Sequence, residues 1–344
     1  MSTMRAVGYK QAGEITRSDS LTDITLSHPK VSGRDLLVEV RAVSVNPADA
    51  KVRGGAVSNP DEGEDYKILG YDASGVVRAV GSEVTLFNVG DKVYYAGSIA
   101  RPGTNSELHL VDERIVGHMP ASLDFAQAAA LPLTAITAWE MLFDRFGIAP
   151  GKQPSDKSLL IIGAAGGVGS IMIQLARRLT PLTVIGSASR PETQAWVKGL
   201  GAHHVIDHSR PISEELKRIG IPAVDYIVSL AHTQAHLEQV ALAIAPQGKF
   251  GLVDDPKKID IAMFQTKSVS VHWEMMFTRS LFTTSDMVGQ HYLLDEVAQL
   301  VDAGLIRTTL AERLGTINAA NLKRAHALIE TGTARGKIVL EGWG

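Results

Sequence analysis

Residues 159–162 are Leu-Leu-Ile-Ile, residues 163–169 are Gly-Ala-Ala-Gly-Gly-Val-Gly, and an amphipathic stretch follows through Ser170, Ile171, Met172, Ile173, Gln174, Leu175, Ala176, Arg177 and Arg178. The apolar run predicts a strand buried on both faces, and the glycines a tight turn into a helix. That order restricts the chain to a strand-turn-helix unit whose helix N-terminus faces outward. Glycine lets the backbone approach a phosphate, while the free N–H groups and the dipole of the helix attract its charge. Ala165, Gly166, Gly167, Val168 and Gly169 are therefore candidate contacts for the pyrophosphate of a dinucleotide. The spacing departs from G-x-G-x-x-G, and a glycine turn made for packing alone has the same look. The flanking strand and helix favour the dinucleotide.

A chain of 344 residues is long enough for two cores. The net charge of −3 leaves no basic footprint, which argues against nucleic acid and anionic membranes as partners. A small-molecule substrate is the expected partner. The most apolar long stretch, 128–143, is too short for a bilayer and contains Pro132, Thr134, Thr137 and Glu140. Residues 1–11 carry charges where a signal peptide needs an apolar stretch, so the expected location is cytoplasmic. With no cysteine, disulfides and thiolate-ligated metals are excluded.

Short apolar runs at 4–9, 35–45, 73–80, 92–96 and 108–111 predict strands of a barrel-like, mostly antiparallel domain. The acidic segment 59–65, with Pro60 and Gly63, reads as a mobile loop. From Phe125 the texture becomes alanine-rich and helical, which sets a boundary near 123–133. After the glycine turn, strands at 182–186, 203–206, 224–230, 248–253 and 268–272 alternate with helices at 190–200, 213–219 and 234–244. That alternation predicts an α/β fold with a doubly wound parallel sheet. A helix at 285–303, a segment at 310–314, a helix at 319–331 and a strand at 337–340 then leave the pattern. The simplest arrangement inserts a nucleotide domain, 129–278, into a domain made of 1–128 and 279–344.

Six stretches carry a family resemblance: Val45-Asn46-Pro47-Ala48-Asp49, Gly70-Tyr71-Asp72-Ala73-Ser74-Gly75-Val76-Val77, Val89-Gly90-Asp91-Lys92-Val93-Tyr94, residues 129–138, the glycine turn, and Gly336-Lys337-Ile338-Val339-Leu340. The chain resembles the zinc-free quinone oxidoreductase branch of the medium-chain dehydrogenase/reductase superfamily, and within it the subgroup labelled zinc-type alcohol dehydrogenase-like. The resemblance implies a Rossmann nucleotide domain inserted into a GroES-like catalytic domain. It also locates where family members hold catalytic zinc: Asn46, Gly70-Tyr71-Asp72 and Leu133 stand there, and they make no ligand set. The structural zinc lobe is missing as well, replaced by 97–108. Two histidine groupings remain, His203 with His204 and His208, and His232 with His236 one helical turn apart; ordinary helices show such spacing by chance. No metal is expected, and specifically no stoichiometric zinc that chelators remove together with activity.

NAD enzymes place an acidic residue about twenty residues past the glycine turn. Here the segment is Gly186-Ser187-Ala188-Ser189-Arg190. Without a carboxylate to repel it, a 2′-phosphate can take hydrogen bonds from Ser187 or Ser189 and a charge-assisted contact from Arg190, which favours NADPH. Ser189 also reads as a helix N-cap in a box with Glu192. By analogy with relatives, His208 flanks the adenine. Arg335 is either a phosphate contact or an exposed residue.

Without a Lewis acid to ionise an alcohol, reduction of an electrophilic acceptor is the expected chemistry. Hydride transfer to a quinone or enone needs orientation, exclusion of water and a donor for the developing oxyanion. The resemblance implies that Asn46 lies near the nicotinamide and the substrate oxygen, and that Thr137 approaches the carboxamide. Asn46 before Pro47 is also an ordinary turn residue, and Thr137 an ordinary helix hydroxyl. Lys51 stands where several quinone reductases carry tyrosine and is either a donor to an enolate or a surface charge. Tyr71 either presents its hydroxyl to the pocket or packs in the core. Trp273, Met276 and Phe277 are candidate pocket walls or subunit contacts, and the loops 59–67 and 277–286 shape the pocket. The leading function is an NADPH-dependent, zinc-independent reductase of quinones or activated carbonyl and enone acceptors. Alternatives are an alkenal or haloacrylate-type double-bond reductase, and an NADPH-binding sensor with incidental turnover. The resemblance implies a homodimer or homotetramer built on the strand at 268–272.

Overall fold

The computed structural model describes residues 2–56, 66–151 and 153–344, and the loop read at 59–65 lies outside them. The chain forms two compact units, Met1–Ile136 with Phe277–Gly344, and Thr137–Met276. In chain order the first segment runs β1 (Thr3–Tyr9), β2 (Thr22–Ser27), β3 (Asp35–Val45), α1 (Pro47–Arg53), β4 (Lys67–Ile68), β5 (Ala73–Val80), β6 (Lys92–Tyr95), β7 (Leu108–Asp112), β8 (Val116–His118), α2 (Phe125–Ala129) and α3 (Pro132–Trp139). Next come β9 (Ser158–Ile162), α4 (Gly167–Leu179), β10 (Thr183–Ser187), α5 (Pro191–Gly199), β11 (His204–Ile206), α6 (Ile212–Arg218), β12 (Val224–Ser229), α7 (Thr233–Ala243), β13 (Ile244–Leu252) and β14 (Ser270–Trp273). The last segment holds α8 (Thr278–Leu281), α9 (Gly289–Asp302), β15 (Leu310–Arg313), α10 (Ala319–Glu330) and β16 (Lys337–Glu341).

The first unit is built on two sheets, one ordered β2-β1-β4 and one ordered β15-β16-β3-β5-β6-β8 with β7 also on β3. All pairs are antiparallel except β15 with β16. β3 alternates inward Leu36, Val38 and Val40 with half-covered neighbours, so one face of the sheet packs on the core. Ile338, Leu340 and Leu322, from the far end of the sequence, complete that same core. β16 is the reason: it lies antiparallel on β3, with Ile338 opposite Val45.

The second unit is a six-stranded sheet, β11-β10-β9-β12-β13-β14, parallel throughout. Numbered from its own first strand the order is 3-2-1-4-5-6, the doubly wound Rossmann order expected from the sequence. β9 is central and buried along its whole length, which is why it reads as an unbroken apolar run. Leu160 and Ile162 pack with Ile227, Phe250 and Leu237. The GroES-like and Rossmann parts of the predicted fold class are both present.

Some elements differ from the sequence expectations. β2, β4, β8 and α1 were not anticipated, and the helix expected at 285–303 is α9 from Gly289, with the single turn α8 ahead of it. The capping box expected at Ser189 does not form. Pro191 takes the first helical position, so Arg190 becomes the N-cap, and Glu192 pairs with the Arg190 guanidinium at 3.0 Å instead.

Candidate functional site

In the first unit, the positions that the family resemblance assigns to catalytic zinc lie in a buried polar network. β3 ends at Val45, and Asn46 turns the chain into α1 in extended conformation, with Pro47 supplying a preset φ. The Asn46 amide donates to Asp72 Oδ2 at 2.9 Å and to the Tyr71 carbonyl at 3.2 Å. Its Oδ1 accepts from Lys337 Nζ. Lys337, at the start of β16, also reaches Asp72 Oδ2 at 2.9 Å and the Val45 carbonyl at 3.1 Å. Asp72 Oδ1 accepts the Leu133 N–H at 2.8 Å. Asp49, on α1, accepts the N–H groups of Asn46 at 2.8 Å and Gly70 at 3.0 Å. Gly70 has φ +114°, and a Cβ there would lie 2.4 Å from Thr104 Oγ1, so only glycine fits.

Two buried carboxyls thus flank one ammonium, Asp72 in direct contact and Asp49 through its charge. Burial pushes Asp49 up to about 7, against the pull of the Asn46 and Gly70 N–H groups and the Lys337 charge. Burial also raises Asp72, opposed first by Lys337. Burial and the nearby Asp49 charge raise the Tyr71 phenol well above its ordinary value, so it stays protonated. The Tyr71 ring packs edge-on to Phe277, centroids 5.1 Å apart.

These residues do not fit a catalytic zinc. The Asn46 amide is committed on both its atoms, Tyr71 resists ionisation, and Leu133 has only hydrocarbon to offer. The positive charge beside Asp72 is Lys337. The sequence reading missed Lys337 and Asp49; the Gly336-Lys337 motif was visible, but nothing local names its partners. Lys51 is exposed on α1. A 140 Å³ cavity in this unit, lined by His109 and Met287 among others, takes Ser280 and Thr283 from the 277–286 loop but none of the other predicted site residues.

In the second unit, Gly163 closes β9 at φ +81°, and Gly166 is the N-cap of α4 with no side chain capping the helix. The first turn of α4 holds no carboxylate, and residues 165–168 are partly open to solvent. A Cβ on Gly169 would lie 2.6 Å from the Ala164 backbone, so the helix packs on the turn only with glycine there. Uncapped N–H groups, a positive dipole end and no competing anion fit a pyrophosphate.

Ser187, at the end of β10, is buried; its Oγ accepts the Gly163 N–H at 3.1 Å and lies 3.1 Å from His208 Nδ1. That hydroxyl braces the glycine turn. Ser189 is exposed and Arg190 partly so. His208 is half-buried with its ring 6.1 Å from His236, and burial holds it below the usual imidazole range. His203 takes the Val184 N–H at 2.8 Å, which uses one nitrogen of the first histidine grouping. Thr137 is buried on α3, Arg335 is exposed, Trp273 is 54% exposed at the end of β14, and Met276 and Phe277 are buried.

The sequence also gave no warning of a buried acid pair in this unit. Residues 140–145 form a π-turn, and Arg145 there pairs with Glu274 at 2.8 Å. Burial and the neighbouring Glu140 push Glu274 up to about 9, so it holds a proton at neutral pH.

The alcohol dehydrogenase GroES-like domain family matches residues 32–123, and the zinc-binding dehydrogenase family matches 200–340. A zinc-type alcohol dehydrogenase-like protein of Staphylococcus epidermidis is 36% identical over 341 residues, 98% of this chain and 99% of its own. Human mitochondrial NAD(P)H oxidoreductase RTN4IP1 is 30% identical, covering 89% of this chain and 81% of its own. Among solved structures, a Rhizobium etli CFN 42 protein assigned to the zinc-dependent alcohol dehydrogenases superposes at TM-score 0.94 with 57% identity, over 100% of this chain and 99% of its own. A quinone oxidoreductase of Pseudomonas syringae pv. tomato DC3000 superposes at 0.81 with 26% identity, over 98% and 99%. Fold, glycine turn and relatives define the class, an NAD(P)H-dependent oxidoreductase. The chain belongs to the medium-chain dehydrogenase/reductase superfamily, among the zinc-type alcohol dehydrogenase-like proteins.

Proposed function

We propose that this protein is an NADPH-dependent reductase that delivers hydride, without zinc, to quinones or to other activated carbonyl and enone acceptors. The observation that carries the reading is the network at Asn46, Asp72 and Lys337. Where relatives ionise an alcohol on a metal, this chain has a saturated set of hydrogen bonds around a lysine. An acceptor that is already electrophilic needs no such Lewis acid. NADPH supplies the hydride when bound. The uncapped N-terminus of α4 holds the pyrophosphate, and Ser187 keeps the turn in shape through Gly163. The absence of a carboxylate at the end of β10, with Arg190 just beyond it, supports the 2′-phosphate form of the cofactor. Tyr71, held protonated, is suited to donate a hydrogen bond to a developing oxyanion but not to give up its proton.

The test is NADPH consumption against 1,4-benzoquinone, 9,10-phenanthrenequinone and short enones. Saturable turnover of a quinone or enone that survives exhaustive chelation is expected; turnover lost on chelation, or none with any acceptor despite tight NADPH binding, would overturn the assignment.

A further inference from the structure

We propose that the unit formed by Met1–Ile136 and Phe277–Gly344 carries a divalent transition-metal site of the zinc type at His118, His291 and Asp295, sharing no residue with the network around Lys337. His118 ends β8, and α9 presents His291 and Asp295 four residues apart, one helical turn, on one face. The helix is fastened to the strand beneath it. Tyr94 donates to the Leu294 carbonyl at 2.6 Å, and Gly117 leaves space that a Cβ would fill to within 2.4 Å of Leu294 Cβ. One ligand atom from each of the three side chains lies within 4.8 Å of the others. A tetrahedral zinc with bonds of about 2.0–2.1 Å holds its ligands about 3.3 Å apart, so rotamer-scale movement closes the set.

The hydrogen bonds around the cluster orient it as a ligand set. His291 Nδ1 lies 2.7 Å from the Val116 carbonyl, which can only accept, so Nδ1 carries the proton. Its Nε2 faces Asp295 Oδ2 at 3.7 Å, so an ion seated between them would take one nitrogen and one carboxylate oxygen as ligands. A histidine whose other nitrogen donates to a backbone carbonyl is the usual second layer of a metal site. Asp295 Oδ1 is held by the His118 backbone N–H at 2.7 Å, while Oδ2 lies 3.0 Å from His118 Nδ1. One carboxylate oxygen is thus anchored by backbone, and the other meets the His118 ring, a contact that a bound metal would replace with two metal–ligand bonds. Phe87 packs on both rings, at 4.5 Å from His118 and 5.4 Å from His291, and fixes their planes. The His118 side chain is 46% exposed, which provides an entry path and a fourth position for water. Two imidazoles and one carboxylate suit zinc, cobalt or nickel rather than magnesium or calcium. The site would tie the segment before the nucleotide unit to the segment after it, and its role is structural.

The experiment uses full-length protein stripped with a chelator, titrated with Zn²⁺ by calorimetry and with Co²⁺ by visible absorption. Expected are one equivalent bound, the strong visible bands of tetrahedral cobalt, a rise in Tm on adding zinc, and unchanged NADPH turnover. His118→Gln and Asp295→Asn, each checked for native circular dichroism, should each weaken zinc at least about tenfold. No binding at millimolar zinc, or binding that both folded variants leave intact, would overturn the proposal. Because the readouts are metal binding and Tm, the result is independent of which acceptor the enzyme reduces.

Discussion

Lys337 and Asp72 are 3% and 0% exposed and sit 2.9 Å apart, so neither charge is relieved by solvent. Removing one member of such a pair strands the other. Lys337→Met should therefore cost about 3–5 kcal/mol in urea unfolding, and adding Asp72→Asn to it should recover part of the loss. Asp49 makes a separate, pH-dependent contribution. Its carboxyl titrates at about 7 in the folded protein, against about 4 in the unfolded chain. Between those values the folded state holds a proton that the unfolded state has lost, so stability falls as pH rises through the window, by about 1.4 kcal/mol per unit. A Tm profile from pH 4 to 7 should show that decline, and Asp49→Asn should flatten it. At the cofactor end, Arg190→Ala should raise KM for NADPH about tenfold while leaving KM for NADH unchanged; equal effects on both would remove Arg190 from cofactor selection. The sequence showed Asn46, Tyr71 and Leu133 as poor zinc ligands because that judgement needs only residue types. It did not show what replaces the metal, because Lys337 lies 265 residues from Asp72 and 291 from Asn46. Ser187 is a similar case: its residue type suggested a phosphate donor, whereas the hydrogen bond to Gly163 is visible only once β9 and β10 pair.

The elements most legible in the sequence were those with a strong period or a long apolar run. β3 and β5 match their expected limits of 35–45 and 73–80 because both are long, β-branched and buried on at least one face. β4 has two residues and β8 three, too few for any period to emerge. β2 was hidden because its burial only alternates between partial and full exposure, leaving little apolar contrast. α1 was masked by Asn46-Pro47, which reads as a turn, although proline is well placed in a first helical turn. For α4 the critical position is Gly169. Gly169→Ala sets a methyl 2.6 Å from the Ala164 backbone, which cannot yield as a flexible side chain does. The expected cost is about 1–3 kcal/mol from overpacking, with α4 pushed off the turn. NADPH affinity, followed by nucleotide fluorescence, should drop at least tenfold; unchanged affinity would show that α4 does not hold the pyrophosphate.

At the scale of the molecule, β14 ends the parallel sheet and pairs only with β13 among the described strands. Its last residue, Trp273, is 54% exposed and Met275 just beyond is 46% exposed. An open edge with apolar side chains is a natural seam for a second copy, and we propose that the protein is a homodimer or homotetramer joined there. Light scattering should give two or four times the chain mass, and Trp273→Glu should shift it toward one; a wild-type monomer would end the proposal. Among the described residues no helix is long and apolar enough to cross a membrane. The pairing of β16 with β3 sets the order in which the protein can be made. Thr137–Met276 is contiguous and contains its whole sheet, so it can form while the ribosome is still working. The surrounding unit cannot, because Ile338 must reach Val45 and Ser44 must reach the Ile338 carbonyl across 294 residues. During synthesis, β3 waits as an apolar strand with one neighbour missing. A chain stopped between residues 277 and 336 therefore releases a finished nucleotide fold attached to an unfinished, aggregation-prone partner.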